Sequence, residues 1–189
     1  MTNALDKSFK DLLWGIQLSV RYHQHRRAHF DSLHKIIVFL IIILGSSSIA
    51  GSLASHPIVA ILASSLITFL STIELVFAPT QKSRLHFDLA SKFIDLEKNI
   101  VRSQAEPAGD KLTSLTEKRL SIEVEEPPLK RLVWDTCYNE MLQKEGAEEG
   151  KILKFKWYHL LIKNFVDWGF RNVVVDTEWK PPQQDLGSA

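Results

Sequence analysis

Residues 36–73 contain no aspartate, glutamate, lysine or arginine. A stretch that long without charge is not an ordinary surface helix, which keeps a polar face toward water. Cysteine is almost as scarce. Cys137 stands alone, which excludes an intramolecular disulfide framework and gives no sign of an oxidising compartment. In its helical pattern it reads as packed rather than reactive. No zinc-type Cys/His spacing, glycine-rich phosphate loop, nucleophile elbow, HExxH motif or catalytic carboxylate pair occurs. The chain therefore reads as a non-enzyme with no cofactor. Net charge is nearly absent too: 23 Lys and Arg against 22 Asp and Glu. That balance leaves no broad footprint for nucleic acid.

The uncharged block is two segments of about 20 residues, 36–54 and 58–78, each matched to a bilayer core of about 30 Å. Pro57 separates them, because proline lacks a donor and its predecessor avoids helical geometry. The block starts after 35 residues, many of them polar or charged, too late for a secretory signal. Arg21, Arg26, Arg27 and Lys35 precede the first segment, and Lys82, Arg84 and Lys92 follow the second. The turn Ser55-His56-Pro57 between the segments carries neither Lys nor Arg. By the positive-inside rule both termini of a multi-pass membrane protein face the cytoplasm.

Polar residues inside the block are few and patterned. Ser64, Thr68, Ser71 and Thr72 form a helical stripe, and Gly45, Ser48 and Ser52 offer small residues on the first segment. They are candidates either for tight helix packing or for lining an aqueous path in an oligomer. Two spans cannot enclose a pore, so the second reading needs several copies. Glu74 is the single acid in the block, close to the headgroup level. With His23, Arg27 and His34 it makes a candidate gating or interfacial set. His25 and His29 have the spacing of half a metal site, without the remaining ligands.

The fold class expected is an all-α membrane protein, a two-span helical hairpin extended into a cytoplasmic helical bundle. Leu5, Phe9, Leu12, Leu13 and Ile16 mark an amphipathic helix over 1–35 that leads into the membrane. The hairpin occupies 36–78 and a cytoplasmic helical region 79–180. In that region Leu85, Leu89, Phe93, Leu96 and Ile100 form one stripe. Shorter helices follow over 112–125 and 129–144. A segment over 153–168, with Leu153, Trp157, Leu160, Leu161, Phe165 and Trp168, packs in the bundle or lies on the membrane. Val173-Val174-Val175 suggests a short strand, and 181–189 a disordered tail.

The run Arg21-Tyr22-His23, Arg26-Arg27, Phe30-Asp31 and His34, entering a two-span hairpin, resembles the SLATT domain, the SMODS and SLOG-associating two-transmembrane effector. So do Leu115-Thr116-Glu117-Lys118-Arg119-Leu120-Ser121-Ile122-Glu123, Glu126-Pro127-Pro128 and Trp134-Asp135 with Cys137-Tyr138-Asn139-Glu140. The resemblance covers about residues 15–170. It implies a membrane effector of a bacterial antiviral conflict system, triggered by a nucleotide second messenger or a sensor protein. The action it implies is homo-oligomerisation into a pore, or disruption of the membrane. A non-conducting adaptor that anchors a partner protein at the bilayer is the alternative. Unlike the fused members of that family, the sequence is expected to leave no room for a separate sensor or synthase domain, so a trigger would bind the cytoplasmic helices or come from a partner.

Overall fold

A computed structural model describes residues 2–104, 109–147, 152, 153, 155 and 164. The chain forms two compact units, Met1–Val124 and Glu125–Ala189. Five helices make up the described elements, and among the described residues there is no strand. The expectation of an all-helical chain with two long apolar helices is met.

Helix α1, Thr2–Leu53, runs unbroken for 52 residues, about 78 Å at the usual rise. No proline occurs before Pro57, so nothing in the backbone interrupts it. The turn is tight: Ser55 takes φ 59°, and the His56 N–H donates to the Gly51 carbonyl at 2.8 Å. Helix α2, Pro57–Phe77, starts on a proline whose missing donor is no loss in the first turn. Helix α3, Pro79–Gln104, follows after a single residue. That residue, Ala78, is left-handed (φ 44°, ψ 54°), a conformation that costs a side-chain-bearing residue about 1–2 kcal/mol. Its N–H caps α2 on the Glu74 carbonyl at 3.0 Å, and its carbonyl accepts from Gln81 and Lys82 at 3.1 Å each. The returning leg is therefore broken once, where α1 opposite is continuous.

Both α2 and α3 lie along α1, on successive lengths of it. The residues withdrawn from the surface step alternately by three and four, the spacing of a coiled-coil seam. Along the lower part of α1 they are Phe9, Leu12, Ile16, Ser19, His23, Arg26 and Phe30, facing Ser83, His86, Ala90, Phe93 and Ile100 of α3. Along the upper part they are His34, Ile37, Ile41, Leu44, Ser48 and Gly51, facing Ala60, Ala63, Ile67, Leu70 and Glu74 of α2. Between Arg26 and His34 the α1 seam takes two consecutive steps of four. An extra step of this kind locally relaxes a supercoil, and it falls opposite the Ala78 break.

The arms, the lower part of α1 together with α3, and the apolar part, the upper part of α1 together with α2, differ in what they bury. Phe9, Ile16, Phe93, Leu96 and Ile100 are almost fully buried, in a cluster that Leu115 of α4 (Gly109–Glu123) completes. Arg119 of α4 crosses α1 at Gly15, where a Cβ would come within 3.0 Å of its guanidinium. On α2, by contrast, only Ala63 is buried, and Ile58, Ile61, Leu62, Leu66, Phe69 and Leu75 stand exposed.

Gly51 is buried where the two upper helices approach closely, just before the turn. A Cβ there would lie 3.2 Å from Val59 Cγ1 and 3.3 Å from the Ala60 nitrogen. The Ala60 contact is backbone and cannot rotate away. Gly51→Val should splay the turn at a cost of about 1–3 kcal/mol, as overpacking does. Gly45→Val, with nothing within 4 Å of its Cβ, should be mild. Disulfide trapping between cysteines placed at Ser48 and Ser64 would read the difference, and equal trapping in both variants would refute it.

The second unit holds α5, Arg131–Lys144, which buries Leu132, Val133, Cys137, Asn139 and Met141. The Asn139 side chain takes both main-chain groups of Leu153, donating to its carbonyl at 2.6 Å and accepting from its N–H at 2.9 Å. Burial raises the Asp135 carboxyl above its ordinary range, against the pull of Arg131. Residues 156–163, most of the expected 153–168 helix, lie outside the described residues, as do 173–175 and 181–189.

Candidate functional site

The hydroxyls of the apolar helices divide into two groups. Ser48 and Ser64 meet across the α1–α2 seam, Oγ to Oγ at 2.9 Å, and Ser48 also reaches the Ala60 carbonyl at 3.3 Å. The rest of the stripe turns aside. Thr68 and Thr72 are exposed and lie more than a quarter turn from the line Ala63, Ile67, Leu70 that faces α1, and Ser71 is exposed at the edge of that line, one turn after Ile67. Thr68 donates to the Ser64 carbonyl at 3.0 Å and Thr72 to the Thr68 carbonyl at 2.8 Å. Ser52 donates likewise to Ser48 at 3.0 Å. The donors of Thr68, Thr72 and Ser52 are thus satisfied inside their own helices, and their oxygens can still accept. Gly45 is half-buried and has open space beside it. The small residue at the close approach is Gly51, which lies one step of three beyond Ser48 on the same seam.

Two cross-links straddle the Ala78 break. On the α2 side, His34 Nδ1 lies 2.8 Å from Glu74 Oε1. The other carboxylate oxygen, Oε2, is buried with no hydrogen-bond partner in the structure. On the α3 side, the Ser83 hydroxyl donates to Asp31, whose second oxygen lies 3.7 Å from Arg27 Nε. The Arg27 guanidinium also lies over Phe87, 4.4 Å from the ring centroid. The fold thus pairs Glu74 with His34, whereas Arg27 belongs to the group beyond the break.

His23 belongs to a third group, deeper in the arms. Its Nδ1 lies 2.9 Å from Nδ1 of His86, and both residues are buried. In that arrangement one ring donates and the other accepts, so the two cannot both be fully protonated. Aromatic rings flank the pair: Phe93 stacks on His23 at 5.7 Å, Phe30 on His86 at 5.7 Å, and Tyr22 meets both rings edge-on. Burial first, then the neighbouring His23 and Arg26, lower the His86 pKa to about 3. No family model, curated protein or solved structure matches the chain.

Among the described residues no group of three or more His, Cys, Asp or Glu side chains could hold a metal ion. His25 and His29 therefore gain no third ligand there. Neither His86 nor Gly51 stands out in the sequence. The available signal for His86 is its place in the buried line Ser83, His86, Ala90, Phe93. For Gly51 it is its position six residues before the proline of the turn, level with Val59 and Ala60 once the chain doubles back.

Proposed function

We propose that the chain is a membrane effector of a bacterial conflict system. Its hairpin sits in the inner membrane, both termini in the cytoplasm, and it assembles as a homo-oligomer that forms a pore or disrupts the bilayer. A nucleotide signal or a sensor protein acting on the cytoplasmic helices is the trigger. The membrane placement is supported by the side chains that α1 and α2 leave outside their seam: isoleucine, leucine and phenylalanine around most of their circumference. A monomeric soluble protein rarely exposes an apolar surface that extensive.

The observation that carries the pore reading is the line Thr68, Ser71 and Thr72 on the outer flank of this apolar hairpin. A flank built only to face lipid has no use for three hydroxyls on one line. Facing another copy, they can hydrogen-bond across an interface or wet a path between copies. Thr68→Leu and Ser71→Leu distinguish the outcomes, because both side chains are exposed. If the line wets a path, leakage from liposomes and growth arrest should fall strongly while membrane abundance and oligomer mass stay constant. If oligomer mass changes instead, the line is a packing surface and the non-conducting adaptor becomes the better reading. Unchanged leakage with unchanged assembly would refute the pore.

A further inference from the structure

Cations along the arms differ in how they are neutralised. Several cations pair with a carboxylate: Lys10 with Asp6 at 2.8 Å, Lys98 with Asp95 at 2.8 Å and Arg119 with Glu123 at 2.6 Å. Others, Lys7, Arg102 and Lys118 among them, have no carboxylate partner among the described residues, and three more of this kind lie next to the apolar helices. Lys35 precedes Ile36, and Lys82 and Arg84 follow the Ala78 break within two turns. All three are exposed, and among the described residues none has a carboxylate partner. Two acids beside the break are already engaged, Glu74 with His34 and Asp31 with Ser83 and Arg27, while Asp88, one turn after Arg84, is exposed and forms no ion pair among the described residues.

The Lys82 ammonium lies 5.6 Å from the centroid of the Phe77 ring and 5.8 Å from that of Phe30. These contacts hold the ammonium at the edge of the apolar surface and leave its N–H donors available for oxygen ligands. Phe77 is itself 54% exposed and Phe87 47%. An anion bound here would meet positive charge on one side and exposed aromatic carbon on the other.

We propose that Lys35, Lys82 and Arg84 form a collar that binds the phosphates of anionic lipid headgroups. The assignment rests on the membrane placement given above. A phosphate attached to acyl chains matches both halves of the surface, the cations and the Phe77 ring, whereas free phosphate matches only the cations. The collar would hold the start of α1's apolar length and the start of α3 at one depth. Movement of the arms would then be made against fixed headgroups.

Native mass spectrometry of the full chain, released from membranes containing equal phosphatidylglycerol and phosphatidylcholine, tests this. The wild type should retain phosphatidylglycerol in preference. Each removed charge should weaken retention about fivefold, so the triple variant Lys35→Gln, Lys82→Gln, Arg84→Gln should lose on the order of a hundredfold. The control Lys10→Gln, Lys98→Gln, with charges removed away from the collar, should behave as wild type. Equal retention of the two lipids by the wild type, or undiminished preference in the triple variant, would overturn the proposal. Displacement of the lipid by millimolar inorganic phosphate would overturn the lipid as the source. Alkaline carbonate extraction separates this from failure of the premise: release of the wild type from membranes would overturn the membrane placement itself and the collar with it.

Discussion

Between pH 6.5 and pH 4 the pairing of α1 with α3 should weaken steadily, and replacing His86 should remove much of that dependence. The cause is the buried contact between the two imidazoles. The His86 pKa is about 3 in the fold, against 6.5 for the ordinary side chain, because burial and then His23 and Arg26 oppose its charge. Between those values the unfolded chain binds the extra proton and the folded chain does not. Stability from this site is complete above about pH 6.5 and is lost as the pH falls toward 3. The slope from one group is at most about 1.4 kcal/mol per pH unit. The charged and titratable groups around it are His23 and Arg26 from α1 and, on its own helix, Lys82 one turn away, which lies against Phe30. None of these favours a charged His86.

His86→Phe keeps a ring for Phe30 to stack on but removes the contact between the two imidazoles. The variant should be less stable than wild type at pH 7 and flatter below it. Thermal melts followed by circular dichroism in detergent, at several fixed pH values, give the comparison. Parallel slopes for the two proteins would remove His86 as the acid-labile group. Carboxylates titrate in the lower part of this range in both proteins, so the difference between them is the informative quantity.

The helical class and the two apolar helices were legible because charge is a strong signal. A long run without Asp, Glu, Lys or Arg followed by a proline reads the same way in sequence and in space. The inner face of α3 was much harder to read. Apolar periodicity selects Leu85, Leu89, Phe93, Leu96 and Ile100, yet Leu85 is 40% exposed while Ser83, His86 and Ala90 are buried. The reason lies on the other helix. At that level α1 presents His23 and Arg26 beside Phe30, and polar groups there require polar or small partners. No single-helix pattern contains that information.

Pairings such as His34 with Glu74 and Ser48 with Ser64 were invisible for a related reason. They depend on how the chain doubles back at Ser55 and His56, and a shift of one residue in that turn would change the facing partners. Pro79, like Pro57, marks the end of a helix, but only the contacts of α2 and α3 with the same α1 show that the leg continues past Ala78. The hydroxyl stripe was legible as a stripe. Its direction was not, because the seam follows the alanines and isoleucines beside it.

Removing Phe93 should give the largest loss of stability and should confine it to the arms. The residue is fully buried, stacks on His23 and belongs to the cluster with Phe9, Ile16, Leu96 and Ile100. Phe93→Ala deletes the ring that supports the histidine pair and leaves a cavity lined by rigid neighbours. Substitutions of this kind cost about 3–5 kcal/mol. The seam of α1 with α2, running from His34 to Gly51, contains no contact with Phe93. Its loss should therefore leave that seam in place while α3 separates from the lower part of α1. Hydrogen exchange resolved along the chain tests both halves of the statement. Amides of residues 9–30 and 83–100 should exchange roughly 10²- to 10³-fold faster, and those of residues 36–73 at an unchanged rate. Equal acceleration in both segments would mean that arms and hairpin unfold as one unit, and that the break at Ala78 does not divide the fold.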